Sequence, residues 1–291
     1  MLNALTIDVE DYFQTEAMSS AVIRADWGKM ELRIEQSMWK LLALLDRHKT
    51  HATLFFLGWI AERCPKLVAA AAAMGHEIGC HSYWHHPVFR QAPDEFRTDT
   101  LRAKNAIESI TSLRVIGYRA PNFSILQGMD WANEILCELG FVYSSSSHPI
   151  HHDLYSNPNA LRTPYRTSSG LWEIPITTCP LFGKNLPVGG GAYLRMLPTP
   201  YLMGGLRRAA NFGQPMVIYL HPWEIDPDQP RLPVAWKSRL RQYTGLEGME
   251  VRLERLISKY DFGAIAEAFG GMDAYEFAGS NAAQELHAIH V

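Results

Sequence analysis

The stretch Ala4-Leu5-Thr6-Ile7-Asp8-Val9-Glu10-Asp11 begins apolar and ends acidic. Its first part, Ala4 to Asp8, predicts a buried strand, and acidic residues follow where this strand ends. Three carboxylates at one strand end can bind a hard or borderline cation. Taken alone, the stretch is more simply explained as a solvated turn.

The same order of apolar strand and polar ending recurs along the chain. Segments with helical periodicity separate the strands; the first repeats Ile34, Met38, Leu41, Leu42 and Leu45 along one face. Further helices are predicted at about 65–74 and 94–110, and further strands at 52–57, 77–80, 117–119, 141–144, 171–174 and 216–221. This alternation predicts an α/β fold with a mainly parallel sheet or barrel. In such folds the functional site lies at the carboxyl ends of the strands.

Composition favours one globular catalytic domain. Of 291 residues, 47% are hydrophobic and 20% are charged, which is enough for one sizeable core. A formal net charge of −3 gives no reason to expect nucleic acid or an anionic membrane as a partner. Residues 146–192 are rich in loop-forming residues, and 270–291 are predicted to be a peripheral tail.

The sequence also predicts a cytoplasmic location. Its first 13 residues lack the basic start and apolar run of a signal peptide, and no apolar stretch has the length of a transmembrane helix. The four cysteines lie far apart without a CxxC pair, which argues against a zinc knuckle and against a disulfide-stapled secreted domain.

A histidine pair follows the predicted strand 77–80. In His81-Ser82-Tyr83-Trp84-His85 the two imidazoles are four residues apart, a spacing that brings both to one face of a helical turn and permits chelation of one metal ion. In a chain with 12 histidines, about 0.5 such pairs are expected by chance, so the pair alone is weak evidence for a metal site.

Two further strand ends carry functional candidates. A buried Arg119 would need a carboxylate partner, for which Asp8 is the natural candidate. Pro121 stiffens the following loop and could hold the backbone amide of Asn122 toward a developing oxyanion. His221 ends an apolar strand on the same edge.

The ordered motifs resemble those of the NodB-type polysaccharide deacetylases, carbohydrate esterase family four. The similarity runs from Leu5 to His221 through an aspartate pair, HSxxH, RxP and LxH. It implies a distorted (β/α) barrel with a loop-rich C-terminal extension. The stretches HDLY (152–155), GGGAYLR (189–195) and YLHPWEIDPDQPR (219–231) resemble the exosortase-associated branch found with exopolysaccharide gene clusters.

The resemblance implies one catalytic domain over residues 1–269, with a core at about 4–145 and a branch-specific region at about 145–269 that completes the barrel. It implies an N-acetylated polysaccharide or oligosaccharide as substrate. The implied cofactor is one divalent ion, with Zn²⁺ first and Co²⁺ or Ni²⁺ as alternatives. The sequence leaves the polymer and the oligomeric state open.

The resemblance also implies a role for each candidate residue. Asp8 corresponds to the general base, Arg119 to the residue that orients it, and His221 to the general acid. The implied metal ligands are the histidine pair His81 and His85, together with either Glu10 or Asp11.

The chain departs from the commonest family pattern in its acidic motif, where Asp8-Val9-Glu10-Asp11 replaces two adjacent aspartates, and at two further positions. Asn122 replaces a tyrosine, although its backbone amide could still serve as a donor, and Ser144 stands where the branch usually has an acid. Two alternative functions stay open: an allantoinase-like hydrolase of cyclic imides or ureides, and a carbohydrate-binding protein with a degenerate site.

Overall fold

The computed structural model describes residues 1–152 and 157–270. Its strands are β1 (Asn3–Val9), β2 (Thr53–Phe56), β3 (Glu77–Cys80), β4 (Gly117–Tyr118), β5 (Tyr143–Ser144), β6 (Tyr165–Arg166), β7 (Trp172–Glu173), β8 (Thr178–Leu181), β9 (Lys184–Pro187), β10 (Val217–Leu220) and β11 (Phe262–Gly263). Its α-helices are α1 (Ile34–Arg47), α2 (Gly58–Arg63), α3 (Pro65–Ala73), α4 (Pro93–Thr111), α5 (Asp130–Glu138), α6 (Ala192–Met196), α7 (Thr199–Ala210), α8 (Trp236–Tyr243), α9 (Met249–Ile257) and α10 (Ile265–Ala268). Among the described residues, none of the helices is long and apolar enough to cross a membrane.

One mainly parallel sheet organises the molecule. Its strand order is β10-β1-β2-β3-β4-β5-β7-β6, with β11 also paired to β1. Among the described strands of this sheet, β6 alone is antiparallel to its neighbour. The sheet curls into a half-barrel. The α/β prediction is therefore confirmed.

Strand register brings the predicted strand ends to one level. A row of paired residues crosses the sheet from Val9 through Phe56, Cys80, Tyr118 and Ser144 to Glu173. Parallel strands end at a common edge, so the residues that follow this row lie close together.

The two faces of β1 have different surroundings. Leu5, Ile7 and Val9 join the large core that includes the helices, whereas Ala4 joins a second apolar cluster on the opposite face. Side chains alternate along a strand, so Asp8 shares the face of Ala4. The carboxylate thus points into the concave side of the sheet.

Part of the region predicted as loops is regular structure. Strands β8 and β9 form an antiparallel hairpin, and its turn residues Phe182 and Gly183 both have positive φ angles (50° and 72°). Such a turn usually carries Asn or Asp before Gly, so the Phe-Gly pair gives little hairpin signal. The loop prediction is wrong for these residues.

Candidate active site

Three potential metal ligands converge at the carboxyl edge of the sheet. Glu10 follows β1, His81 follows β3, and His85 lies in the loop after it. One carboxylate oxygen and one nitrogen from each imidazole lie within 4.8 Å of one another, and all three residues are buried. Two imidazoles and a carboxylate suit a borderline divalent ion with positions left for water or substrate. These residues fit the ion that the resemblance implies.

The protonation states of the cluster favour ligation. Burial would raise the pKa of Glu10, but the neighbouring His85 imidazole lowers it to about 2, so the carboxylate is ionised. Burial lowers the pKa of His81 to about 4, so this ring is neutral near neutral pH. Its Nδ1 lies 2.8 Å from the carbonyl oxygen of Arg119, which accepts a hydrogen bond only if Nδ1 carries the proton. The lone pair is then on Nε2, free to bind a cation.

The histidine pair lies in an irregular loop. Ser82 and His85 have positive φ angles of 65° and 53°, so the helical turn predicted from the spacing is wrong. Arg24 donates hydrogen bonds to the carbonyl oxygens of Trp84 and His85 at 2.6 Å and 2.8 Å. Asp99 accepts two backbone N–H groups of the same loop. These contacts from distant residues determine the loop conformation.

Asp11, the alternative third ligand, has its carboxylate engaged elsewhere. Its Oδ1 accepts the backbone N–H of Tyr12 at 2.8 Å, and its Oδ2 accepts those of Arg33 and Ile34 at 2.8 Å and 3.0 Å. The two contacts of Oδ2 satisfy free amide groups at the start of α1. Burial raises the pKa of Asp11 to about 7. Asp11 is not in the cluster of potential ligands, which leaves Glu10 as the candidate.

Arg119 is fully buried beside Asp8. Its Nη1 lies 2.8 Å from Oδ1 of Asp8, so the carboxylate partner expected from the sequence is present. The guanidinium also donates to Oγ1 of Thr6 at 2.7 Å, and to the carbonyl oxygen and hydroxyl of Ser145 at 2.8 Å and 2.7 Å. Arg119 therefore holds the Asp8 carboxylate in one orientation.

His221 faces the same acids from the end of β10. Its Nε2 lies 3.9 Å from Oδ2 of Asp8 and 3.6 Å from Oε1 of Glu10, and its ring stacks on Trp223. Burial lowers the pKa of His221, but the hydrogen bond to Glu224 and the nearby carboxylates raise it to about 9. The protonated ring is the form that a proton donor needs near neutral pH.

Two buried residues behind His221 are functional candidates that the sequence analysis does not identify. Oε1 of Glu224 lies 2.6 Å from Nδ1 of His221, and Oε2 accepts Nε–H of Arg195 at 2.5 Å. Arg195 also donates to backbone carbonyl groups within 241–244. The spacing of three residues between His221 and Glu224 is a sequence signal. Arg195 ends the GGGAYLR stretch, but its contact with Glu224 is visible only in the folded chain.

The Asn122 backbone amide, the predicted oxyanion donor, stays a prediction. The residue adopts a left-handed conformation (φ 54°, ψ 27°) after Pro121 and lines the same cavity as Glu10 and His221. Its side-chain Nδ2 is buried without a hydrogen-bond partner among the described residues.

Ser144 replaces the acidic residue that the branch usually has, but a carboxylate from another strand lies next to it. Glu173 pairs with Ser144 across the sheet, and its Oε1 accepts the backbone N–H groups of 146–147, both at 2.8 Å. This loop contains Ser145, which binds Arg119. Glu173 thus supports the residues that orient Asp8.

A cavity with a volume of about 620 Å³ lies beside part of the site, and this volume is in the range of small-molecule binding sites. Its lining includes Glu10, Asn122 and His221 from the site, and Tyr193 and Trp236 from the C-terminal half. Of the HDLY motif, residues 153–155 lie outside the described residues.

Comparison with known proteins gives two family matches. Residues 18–141 match the family model Polysaccharide deacetylase, and residues 145–270 match a model described as Domain of unknown function (DUF3473). The peptidoglycan-N-acetylglucosamine deacetylase of Bacillus cereus is 32% identical over 96 residues, which are 33% of this chain. The match spans 35% of the length of that relative.

Solved structures share the fold. A putative polysaccharide deacetylase from Mycobacterium smegmatis has a TM-score of 0.61 at 20% identity, covering 89% of this chain and 86% of that one. A pseudoenzyme of carbohydrate esterase family four from Bacillus anthracis has a TM-score of 0.50 at 17% identity, covering 92% and 64%. The family model and the relatives together support the polysaccharide deacetylase family, and the exosortase-associated branch stays a prediction.

Proposed function

We propose that this chain is a metal-dependent hydrolase that removes N-acetyl groups from an amino-sugar polysaccharide. The observation that carries the proposal is the grouping of three sets of residues at one sheet edge. These are the potential ligands Glu10, His81 and His85, the pair Asp8–Arg119, and the pair His221–Glu224. Amide hydrolysis uses a base for water, a charge stabiliser for the acyl oxygen and an acid for the leaving nitrogen.

Each set of residues has a distinct task in this proposal. A divalent ion, with zinc as the first choice and cobalt or nickel as alternatives, would be held by Glu10, His81 and His85 and would polarise the water and the acyl oxygen. Asp8 accepts a proton as the water oxygen bonds to the acyl carbon. The backbone N–H of Asn122 donates to the negatively charged oxygen.

The second half of the reaction belongs to His221. Its Nε2 proton passes to the amide nitrogen as the carbon–nitrogen bond breaks, which yields acetate and a free amino sugar. Glu224 orients the ring through Nδ1 and stabilises its protonated form.

The resemblance and the relatives support the proposed substrate class. The Bacillus cereus relative is named for N-acetylglucosamine in peptidoglycan, which supports an N-acetylhexosamine polymer as substrate here. The resemblance of 189–195 and 219–231 to the exosortase-associated branch favours a role in exopolysaccharide biosynthesis or modification. The cytoplasmic location stays a prediction that cell fractionation tests. The matched relatives give no support to the ureide-hydrolase alternative.

The test is acetate release across a panel of N-acetylhexosamine polymers, with allantoin and hydantoin added for the alternative function. We expect acetate from at least one polymer, its loss after chelation, and its loss in Asp8→Asn. Ring opening of a ureide without acetate release from any sugar would contradict the proposal, and so would full release by Asp8→Asn. Glycan binding without turnover would favour the degenerate-site alternative.

A further inference from the structure

Helix α8 forms one wall of the cavity. Trp236, Lys237, Leu240, Arg241 and Gln242 of this helix line the cavity together with Glu10 and His221 of the site. Trp236 begins the helix and is 70% exposed, whereas Gln242 near its end is buried. An exposed tryptophan on a cavity wall is an apolar surface available to a ligand.

Buried polar contacts hold α8 in place relative to the catalytic groups. The side chain of Gln242 donates to the carbonyl oxygen of Tyr12 at 3.1 Å and to Oε1 of Gln229 at 3.0 Å. Arg195 donates to carbonyl groups at the end of α8 and also pairs with Glu224, which contacts His221. The proposed acid and the helix that carries Trp236 are therefore connected through one buried arginine.

Trp236 lies apart from the aromatic residues around the proposed acid. His221 stacks on Trp223, with ring centroids 5.1 Å apart. Within the described part of the chain, the Trp236 ring contacts neither of these rings, and the Lys237 ammonium lies 5.8 Å from its centroid. Lys237 makes no ion pair with a described residue, which leaves its ammonium available as a donor.

We propose that Trp236 is a stacking platform for a sugar ring of the polymer other than the ring that is deacetylated, and that Lys237 donates hydrogen bonds to oxygens of that glycan. The inference rests on the proposed function. A pyranose has an apolar C–H face, which packs on an indole ring, and a rim of hydroxyl groups that accept hydrogen bonds. The site would thus select oligosaccharides over single sugars.

Binding measurements with an inactive protein test this inference directly. In the Asp8→Asn background, calorimetry would compare N-acetylglucosamine with its dimer, trimer and tetramer. We expect Trp236→Ala to weaken binding of the longer oligosaccharides by about 5- to 30-fold, and to affect the single sugar less. Trp236→Phe should retain part of the affinity. Trp39→Ala is the matched control, because Trp39 is 45% exposed on α1 and is not a lining residue of the cavity.

The active protein gives a second readout. For Trp236→Ala, the ratio of kcat/KM on a polymer to kcat/KM on an activated acetate ester should fall by a similar factor, mainly through KM. Equal affinities of Trp236→Ala and Trp39→Ala for the tetramer would overturn the inference. Failure of the wild-type protein to release acetate would instead refute the proposed function, while the binding series would still decide whether Trp236 is a platform.

Discussion

Nδ1 of His221 lies 2.6 Å from Oε1 of Glu224, and both residues belong to the segment that matches DUF3473. Asp8, Arg119 and the potential metal ligands lie in the first 141 residues. The half-barrel unites the two groups because β10, which precedes His221, pairs with β1, which contains Asp8. We infer that the proposed base and acid come from different halves of the chain.

Replacing Glu224 with glutamine should impair His221 as the general acid without loss of the metal ion. The amide keeps an oxygen and nearly the same shape, but the negative charge that stabilises protonated His221 is lost. We expect turnover on an amide substrate to fall by about 10- to 100-fold with metal content unchanged. Glu247→Gln, at an exposed position, is the control. Wild-type turnover in Glu224→Gln would show that the contact has no catalytic role.

His221→Ala should affect amide and ester substrates unequally. An amine leaving group needs protonation, whereas an activated ester releases a stable anion. We expect amide hydrolysis to fall by about 10²- to 10⁴-fold and ester hydrolysis to fall much less, with metal retained. Steady-state kinetics on both substrates measure this difference. Equal losses, or loss of the metal, would assign His221 a ligand or structural role.

Glu10→Gln and Asp11→Asn form a matched pair of neighbouring substitutions. Glu10→Gln should lose the ion, because the charged oxygen of the potential ligand cluster disappears. Asp11→Asn should keep the ion but lose about 1 to 3 kcal/mol of stability, because an NH₂ group cannot accept the amide hydrogens at the start of α1. Elemental analysis and urea unfolding distinguish these outcomes, and the reverse pattern would make Asp11 the ligand.

Stability should depend on pH through His76. This buried imidazole accepts the backbone N–H of Ala52 at 3.2 Å through Nδ1, and burial lowers its pKa from 6.5 to about 4. Between these values the unfolded chain binds more protons than the folded one, so the free energy of unfolding falls as the pH falls from 6.5 toward 4. His76→Asn keeps an acceptor but does not titrate. Urea unfolding at several pH values should show a smaller pH slope for this variant; an equal slope would exclude His76 as a cause.

The sequence predicted that Asp8, Glu10 and the histidine pair lie at one edge of the sheet, but it left Glu10 and Asp11 as alternative ligands. Glu10 lies just beyond the end of β1 at Val9, so strand alternation alone does not determine its position in the cluster. Asp11 could not be excluded from the sequence, because its partners at Arg33 and Ile34 become neighbours only in the folded chain. Sequence spacing likewise could not identify Arg195, which meets Glu224 across 29 positions.

Metal-dependent deacetylation is tested most directly by a Zn²⁺ titration of the chelated protein, with acetate release from an N-acetylated glycan as the readout. We predict that activity rises with added zinc and reaches a plateau at about one ion per chain, since Glu10, His81 and His85 form one cluster. The same titration of His81→Ala should show little activity and no plateau at one ion per chain. Full acetate release by the chelated wild-type protein, or an unchanged titration curve in His81→Ala, would contradict metal-dependent deacetylation at this site.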